Sequence, residues 1–181
     1  YNTHLDFYNR IENKPDIVIT CIGYLDSQKK SEQNFEEART SIFSNYLGLV
    51  SILNIIANDL EKKLSGTIVG ISSVAGERGR SSNYIYGSAK AAYTTYLSGL
   101  RSRMRNYNVK VLTVKPGFIK TKMTENLELP RYLTASPDQV AFDIIRAIKK
   151  SKNVVYTKWI WQYIMLVIKA IPEFIFKRFK F

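Results

Sequence analysis

Three residues whose side chains can move protons lie close together in the sequence. Tyr86 is followed four residues later by Lys90, and Ser73 lies thirteen residues before Tyr86. On a helix, a spacing of four places Tyr86 and Lys90 on the same face. A nearby cation favours the phenolate and lowers the pKa of a tyrosine from its ordinary value of about 10. We therefore expect Lys90 to lower the pKa of Tyr86, while the Ser73 hydroxyl orients a substrate oxygen.

This combination predicts a particular reaction class. It suffices to protonate an alkoxide as hydride reaches a carbonyl, or to deprotonate an alcohol as hydride leaves. No side chain supplies a hydride, so a cofactor is required. A Tyr–Lys pair alone would be weak evidence, because the chain has 12 tyrosines. Ser73, together with the small residues 87–89 between Tyr86 and Lys90, favours a functional site.

The elements that must position these residues alternate along the chain. Short β-branched runs predict strands buried on both faces, and longer periodic segments predict helices. The predicted strands are 16–23, 67–72, 109–114 and 153–157, and the main helices are 35–64, 82–107 and 137–150. This order predicts an α/β fold with a parallel sheet. Ligands bind beyond the carboxyl ends of such strands, where Gly23, Ser73 and Pro116 lie.

Composition excludes several classes of site. The 181 residues suit one domain, Cys21 has no second cysteine to pair with, and His4 is the single histidine. We therefore expect no disulfide framework and no metal site. The net charge is +12, and nine Lys or Arg against one acid lie from Arg146 onward. Nucleic acid, a solvated surface and lipid are the three interpretations; basic residues alternating with large apolar ones favour lipid over nucleic acid.

Three segments in order resemble signatures of the short-chain dehydrogenase/reductase family: "GTIVGISSVAG", "YGSAK" and "VKPGFIKT". The resemblance implies a Rossmann-type doubly wound parallel sheet, NAD or NADP as cofactor, and self-association through helices 35–64 and 82–107. The implied catalytic residues are Asn45, Ser73, Tyr86 and Lys90. Those implied to contact the cofactor are Cys21, Ile22, Gly23, Tyr86, Lys90, Pro116, Gly117, Ile119 and Thr121. Cys21 and Ile22 would contribute only backbone atoms, because Gly23 alone matches the family's Asn-Asn-Ala-Gly.

A narrower resemblance rests on "PDIVITCIGYLDSQ", "SSVAGERGRSSNYIYGSAK", "VLTVKPGFIKTKM" and the ending "IPEFIFKRFKF". These segments are similar to the reductase component of decaprenylphosphoryl-ribose 2-epimerase and its relatives in cell-surface polysaccharide pathways. That similarity implies reduction of a keto sugar carried on a polyprenyl phosphate. The alternatives are a soluble reductase of small ketone or acyl substrates, and a non-catalytic basic module that binds lipid or nucleic acid.

The family's Gly-rich turn, whose amides face the cofactor pyrophosphate, has no counterpart in this sequence. We expect that roughly 60 residues, carrying the first strands and that turn, precede Tyr1 in the full protein. Residues 1–158 are then the C-terminal part of a single Rossmann-fold reductase domain, and 159–181 form its apolar and basic tail.

The C-terminal tail is a candidate for membrane contact, and the loop after Ser73 is a candidate for substrate contact. The apolar stretch from Trp159 to Ile171 is too short to span a bilayer, for which about 20 residues are needed. It suits a headgroup boundary, and the alternative is a helix that closes the substrate pocket or a subunit interface. We therefore expect a cytoplasmic protein, peripheral at the inner face of a membrane. Arg78 and Arg80 are candidates for a substrate phosphate, or are solvated loop charges.

Overall fold

The four main strands form one parallel sheet in the computed structural model, which describes residues 2–25, 27–125 and 128–179. They are β1 (Ile17–Thr20), β2 (Gly66–Ile71), β3 (Val109–Pro116) and β6 (Val154–Thr157), in the order β1-β2-β3-β6. Two short strands, β4 (Phe118–Ile119) and β5 (Thr134–Ala135), pair separately in parallel. The predicted Rossmann-type parallel sheet is confirmed.

The helices cover both faces of the sheet. They are α1 (Asn2–Asn9), α2 (Gln28–Gln33), α3 (Phe35–Ile42), α4 (Gly48–Lys63), α5 (Tyr84–Met104), α6 (Pro137–Lys149), α7 (Ile160–Ala170) and α8 (Glu173–Phe176). On one face, α4 and α5 bury Leu53, Leu60 and Leu97 against the sheet. On the other, α6 buries Val140 and Ile144. Because the strands run in parallel, their carboxyl ends meet at one edge of this layered core.

Strand β1 differs from the prediction. Its run of β-branched residues suggested burial on both faces, but Ile17 and Ile19 keep 49% and 44% of their surface exposed. Within the described residues, β1 pairs with β2 only and so lies at the edge of the sheet. A sequence pattern shows which side chains of a strand are apolar, but it does not show how many strands pair with it.

Helices α3 and α4 form one helix from Phe35 to Lys63, joined by a π-helical turn over Phe43–Leu47. This helix is long and apolar enough to cross a membrane by length and composition alone. Leu49, Leu53 and Leu60 are nevertheless fully buried against the sheet layer. It therefore packs as a core helix of this domain.

The tail packs on the domain through α7. Trp161 and Met165 are buried and form a small apolar cluster with Val74. Lys180 and Phe181, the last residues of the predicted tail, lie outside the described residues. The division of the chain at residue 158 stays an interpretation.

Candidate active site

A pocket of about 450 Å³ opens beyond the carboxyl ends of β1, β2 and β3. The predicted residues that line it come from three loops and the start of α5. They are Cys21, Ile22, Gly23, Ser73, Arg80, Tyr86, Lys90, Pro116, Gly117, Ile119 and Thr121. Asn45 and Arg78 do not line it. The fold thus brings most of the predicted residues together, although up to a hundred positions separate them in the chain.

Ser73 begins the turn that follows β2. Its Oγ accepts a hydrogen bond from the backbone N–H of Ala75 (3.1 Å), and Ser73 lines the pocket together with Tyr86. The neighbouring Ser72 has another role, because its hydroxyl bonds the Lys90 carbonyl oxygen (3.0 Å) and Thr94 Oγ1 (2.6 Å). Ser72 therefore fixes α5 to β2, and Ser73 is left to face Tyr86.

Two glycines let α5 approach this turn closely. A Cβ at Gly76 would lie 2.6 Å from the backbone nitrogen of Ala91, and one at Gly87 would lie 2.8 Å from the Ala75 carbonyl oxygen. Both distances are shorter than atoms tolerate, so side chains at these positions would push the helix away. The backbone contact places Tyr86 and Lys90 beside Ser73.

Tyr86 and Lys90 share one side of α5, as their spacing predicted. Lys90 Nζ lies 5.7 Å from the centroid of the Tyr86 ring and donates to the Ile71 carbonyl oxygen (3.3 Å). Lys90 is buried, whereas Tyr86 keeps part of its surface open to the pocket.

The electrostatic prediction for this pair is wrong. Burial raises the pKa of Tyr86 to about 12, and the polar Ser73 side chain offsets only part of that rise. Burial also lowers the pKa of Lys90 to about 8. The cost of removing the phenolate from water exceeds the attraction of an ammonium at this distance. At neutral pH, Tyr86 is therefore protonated and Lys90 is mostly charged.

Asn45 lies in the π-helical turn, fully buried behind the pocket. Its Nδ2 donates to the carbonyl oxygens of Tyr24 (2.6 Å) and Ser41 (2.9 Å), and its Oδ1 accepts from the Tyr24 N–H (3.2 Å). The bond to Ser41 competes for the carbonyl that an α-helix would pair with the Asn45 N–H, which accounts for the wider turn. A Cβ at Gly23 would lie 3.5 Å from Asn45 Oδ1 and 3.8 Å from Lys90 Nζ. Asn45 and Lys90 thus border the same small space.

The two arginines of the loop after Ser73 have different environments. Arg78 is directed away from the pocket, and its guanidinium donates to the carbonyl oxygens of Ile168 (2.8 Å) and Ile171 (2.5 Å) at the end of α7. The structure therefore does not bring Arg78 to the substrate position proposed from sequence. Arg80 does line the pocket, where burial lowers its pKa and one nitrogen lies 3.5 Å from Met165 Sδ.

The loop after β3 forms the opposite wall. Pro116 ends β3, paired with Thr157, and Gly117 lies directly against the Trp161 indole. Thr121 forms a capping box with Thr124. These contacts hold the backbone of the loop at the pocket rim, and Ile119 presents apolar surface there.

Sequence reasoning missed two features of the site. Asn83 lines the pocket three residues before Tyr86, and among the described residues its buried Oδ1 has no hydrogen-bond partner. Its spacing from Tyr86 was the available signal. The second feature is the buried Glu77 carboxylate, which accepts from Lys115 Nζ (2.6 Å) and the Tyr156 hydroxyl (2.7 Å). No sequence pattern connects those three residues.

The pocket has space and polar groups for part of a dinucleotide cofactor. Gly23 leaves a space beside Asn45 and Lys90 that a Cβ would fill, and the pocket combines hydroxyl and ammonium donors with apolar walls. These features fit the nicotinamide and ribose of a dinucleotide. Among the described residues, no group of three or more His, Cys, Asp or Glu side chains could hold a metal ion.

Comparison with known proteins identifies the family. The sequence model of the short chain dehydrogenases matches residues 6–131. Uncharacterized oxidoreductases of Mycobacterium tuberculosis and Streptomyces coelicolor are 32% and 28% identical, over 88% and 90% of this chain. The chain spans 64% of the length of each.

Solved structures share the fold. A short chain dehydrogenase from Burkholderia cenocepacia in complex with NADP has a TM-score of 0.85 at 21% identity, covering 98% of this chain and 73% of its own. A bulky-bulky ketone specific alcohol dehydrogenase from Comamonas testosteroni has a TM-score of 0.74 at 18% identity, covering 94% and 69%. These structures show the fold, and the match of the sequence model over residues 6–131 shows that the chain belongs to the short-chain dehydrogenase family.

Proposed function

We propose that the protein reduces a ketone to a secondary alcohol with NADH or NADPH. The observation that carries this proposal is the convergence of Ser73, Tyr86 and the buried Lys90 in one pocket. A protonated phenol and a serine hydroxyl together suit a carbonyl oxygen that gains negative charge. Relatives named oxidoreductases are consistent with this chemistry.

In the proposed reaction, Tyr86 is the general acid. Its raised pKa keeps the phenol protonated at neutral pH, so it can donate a hydrogen bond and then a proton to the substrate oxygen. Ser73 holds that oxygen from the turn after β2. When bound, the nicotinamide supplies the hydride.

Lys90 and Asn45 have supporting roles in this proposal. The charged Lys90 lies behind Tyr86, where it favours the phenolate left after proton donation. Asn45 Oδ1 borders the space beside Gly23 that Lys90 Nζ also borders. A water held there would return a proton to Tyr86 through Lys90, as the family resemblance implies.

We also propose that the substrate is a keto sugar carried on a polyprenyl phosphate, in cell-surface polysaccharide synthesis. Arg80 and Lys90 line the pocket, and no Asp or Glu is among the described residues of its wall. A positive wall suits a phosphate, and Arg80 is the proposed phosphate contact. Asn83 Oδ1 offers an acceptor for a sugar hydroxyl.

The proposal extends to assembly and location. Phe35, Ile42, Phe43 and Leu47 are exposed on the long helix, and we propose that this helix and α5 form a homo-oligomer interface. Light scattering of the complete protein should then give a mass above that of one chain, and a monomer would contradict it. We place the enzyme in the cytoplasm, peripheral at the inner face of the membrane that holds its substrate.

A matched pair of tyrosine variants tests the chemistry. In the complete protein, Tyr86→Phe should lower NAD(P)H oxidation with a keto sugar by at least about 100-fold, because it removes the general acid. Tyr84→Phe is the control, since that exposed tyrosine precedes Tyr86 on the same helix and bonds Glu32 instead. Comparable rates in the two variants would refute the role of Tyr86. The same assay with free and with polyprenyl-phosphate-linked keto sugars tests the substrate. We expect a higher kcat/KM for the lipid-linked sugar, and equal values would favour a soluble reductase of small ketones.

A further inference from the structure

Helix α7 is apolar on two opposite faces. Its inner face packs on the domain through Trp161 and Met165, which are 3% and 0% exposed. Its outer face, together with the residue that precedes it, consists of large apolar side chains that remain in contact with solvent. They are Trp159 (71% exposed), Ile160 (36%), Tyr163 (58%), Leu166 (63%) and Val167 (63%). A helix with large apolar side chains on two opposite faces is normally covered on both of them.

The inner contacts prevent α7 from turning this face inward. The Trp161 indole N–H donates to the Leu133 carbonyl oxygen (3.1 Å), and the ring packs against Gly117. At the other end, the Arg78 guanidinium binds the last carbonyl oxygens of the helix and pairs with Glu173 (2.8 Å). These contacts at both ends of α7 hold its outer face toward solvent.

We propose that this outer face, the tail face (Trp159, Ile160, Tyr163, Leu166 and Val167), docks on an anionic lipid surface. Lys177 and Arg178 follow α8 and are exposed. Glu173 is the one acidic residue from Arg146 to the end of the sequence, and Arg78 neutralises it. The local charge thus complements anionic headgroups.

The dimensions and side chains of α7 favour binding along the surface. Its 11 residues extend about 16 Å, roughly half of the 30 Å hydrocarbon thickness, so the helix cannot span a bilayer. Trp159 and Tyr163 pack edge to face at one end, with 5.8 Å between ring centroids. Such rings prefer the level of the headgroups, with aliphatic side chains beneath them.

Two other occupants fit the observations less well. A second copy of this face would bring two strongly basic tails together, since nine Lys or Arg against one acid follow from Arg146, and like charges would oppose association. A segment that extends the main sheet beyond β1 would add at the opposite edge from β6 and α7. Lipid is the occupant whose charge and shape suit the tail face.

The tail face also lies close to the proposed site. The inner residues of α7 contact Gly117 and Arg80, which line the pocket, so one helix diameter of about 10 Å separates the pocket wall from the lipid. If the proposed function holds, this arrangement lets the keto sugar reach Tyr86 while its polyprenyl chain stays in the bilayer. Docking itself does not depend on that function.

Vesicle sedimentation tests the proposal. The complete protein should bind vesicles of phosphatidylcholine with phosphatidylglycerol, and more weakly vesicles of phosphatidylcholine alone. Leu166→Gln with Val167→Gln should weaken binding at least about tenfold, because two large side chains lose their burial in lipid. The matched control is Phe142→Gln with Ile145→Gln on α6, at two positions that are also exposed (64% and 52%) and lie outside the tail face.

Several outcomes would overturn the proposal. They are no binding by the unchanged protein, equal losses in the two double variants, and a tail variant that dissociates an oligomer without affecting vesicle binding. Turnover of a water-soluble ketone separates this test from that of the proposed function. The tail variant should retain that turnover. If the unchanged protein reduces no ketone, the reductase proposal fails while the sedimentation result still decides the lipid surface.

Discussion

Glu77 and Lys115 form a buried ion pair that joins the two walls of the pocket. Glu77 follows the turn that begins with Ser73, and Lys115 directly precedes Pro116. Their side chains are 4% and 12% exposed, and Lys115 Nζ lies 2.6 Å from Glu77 Oε1. Burial alone would raise the pKa of Glu77, but hydrogen bonds from Lys115 and Tyr156 outweigh it and hold that pKa below its ordinary value. The Glu77 carboxylate is therefore charged at neutral pH. Each of the two buried charges is stabilised by the other.

The contacts predict unequal costs for the two single variants. Glu77→Gln leaves the buried Lys115 ammonium without its counter-ion, so we expect the free energy of unfolding to fall by about 3 kcal/mol. Lys115→Met leaves Glu77 with the Tyr156 hydroxyl (2.7 Å) and the Lys169 ammonium (3.6 Å). Lys115→Met should therefore lower the free energy of unfolding by only about 1–2 kcal/mol. The double variant should lower the free energy of unfolding by about 2 kcal/mol. Its loss is smaller than that of Glu77→Gln, because the Lys115 charge is absent as well.

Urea unfolding at neutral pH, followed by circular dichroism, measures this cycle. The expected coupling between the two substitutions is about 2–3 kcal/mol. Losses that add to within about 0.5 kcal/mol would refute the argument that the pair is a buried unit. Because the folded-state pKa of Glu77 is depressed, its stabilisation is present above the unfolded value of about 4.3 and is lost as pH falls through the folded value. The unchanged protein and Glu77→Gln should therefore converge in acid.

Two further predictions follow from the site. Since burial lowers the pKa of Lys90 to about 8, kcat/KM for ketone reduction should fall as pH rises through that value and Lys90 loses its charge; a pH profile without a fall near pH 8 would contradict this. Gly117→Ala places a Cβ 1.9 Å from Trp161 Nε1 and should lower stability by about 1–3 kcal/mol. Gly99→Ala in α5 is its control, because a Cβ there meets no atom within 4 Å, and it should stabilise by about 0.5–1 kcal/mol in the same thermal melts.

Local spacing was sufficient to predict the centre of the site. The interval of four between Tyr86 and Lys90 becomes one helical turn, and the end of β2 places Ser73 opposite them. Helix α6 begins at Pro137 as predicted, and Ser136 Oγ caps it by accepting from the Gln139 N–H (3.2 Å). These features depend on periodicity and capping, which are properties of neighbouring residues.

The remaining features depend on contacts between distant parts of the chain. Arg78 and Arg80 are two residues apart in one loop, and nothing in the sequence shows that the first binds the end of α7 while the second lines the pocket. The exposure of β1 has the same origin, since it depends on which strand pairs with each edge. The bond from Asn45 to Ser41 widens a helix that the apolar periodicity predicted to be regular.

The pKa of Tyr86 shows most clearly why proximity alone did not predict the electrostatics. The sequence placed a cation one turn from the phenol and suggested a lowered pKa. Packing added a second effect of opposite sign, because the contacts that place Lys90 near Tyr86 also remove both groups from water. The result is a neutral acid next to a weakened cation, which suits donation of a proton to a ketone. The protonated state of Tyr86 that the proposed reduction uses therefore follows from burial, a property of the fold.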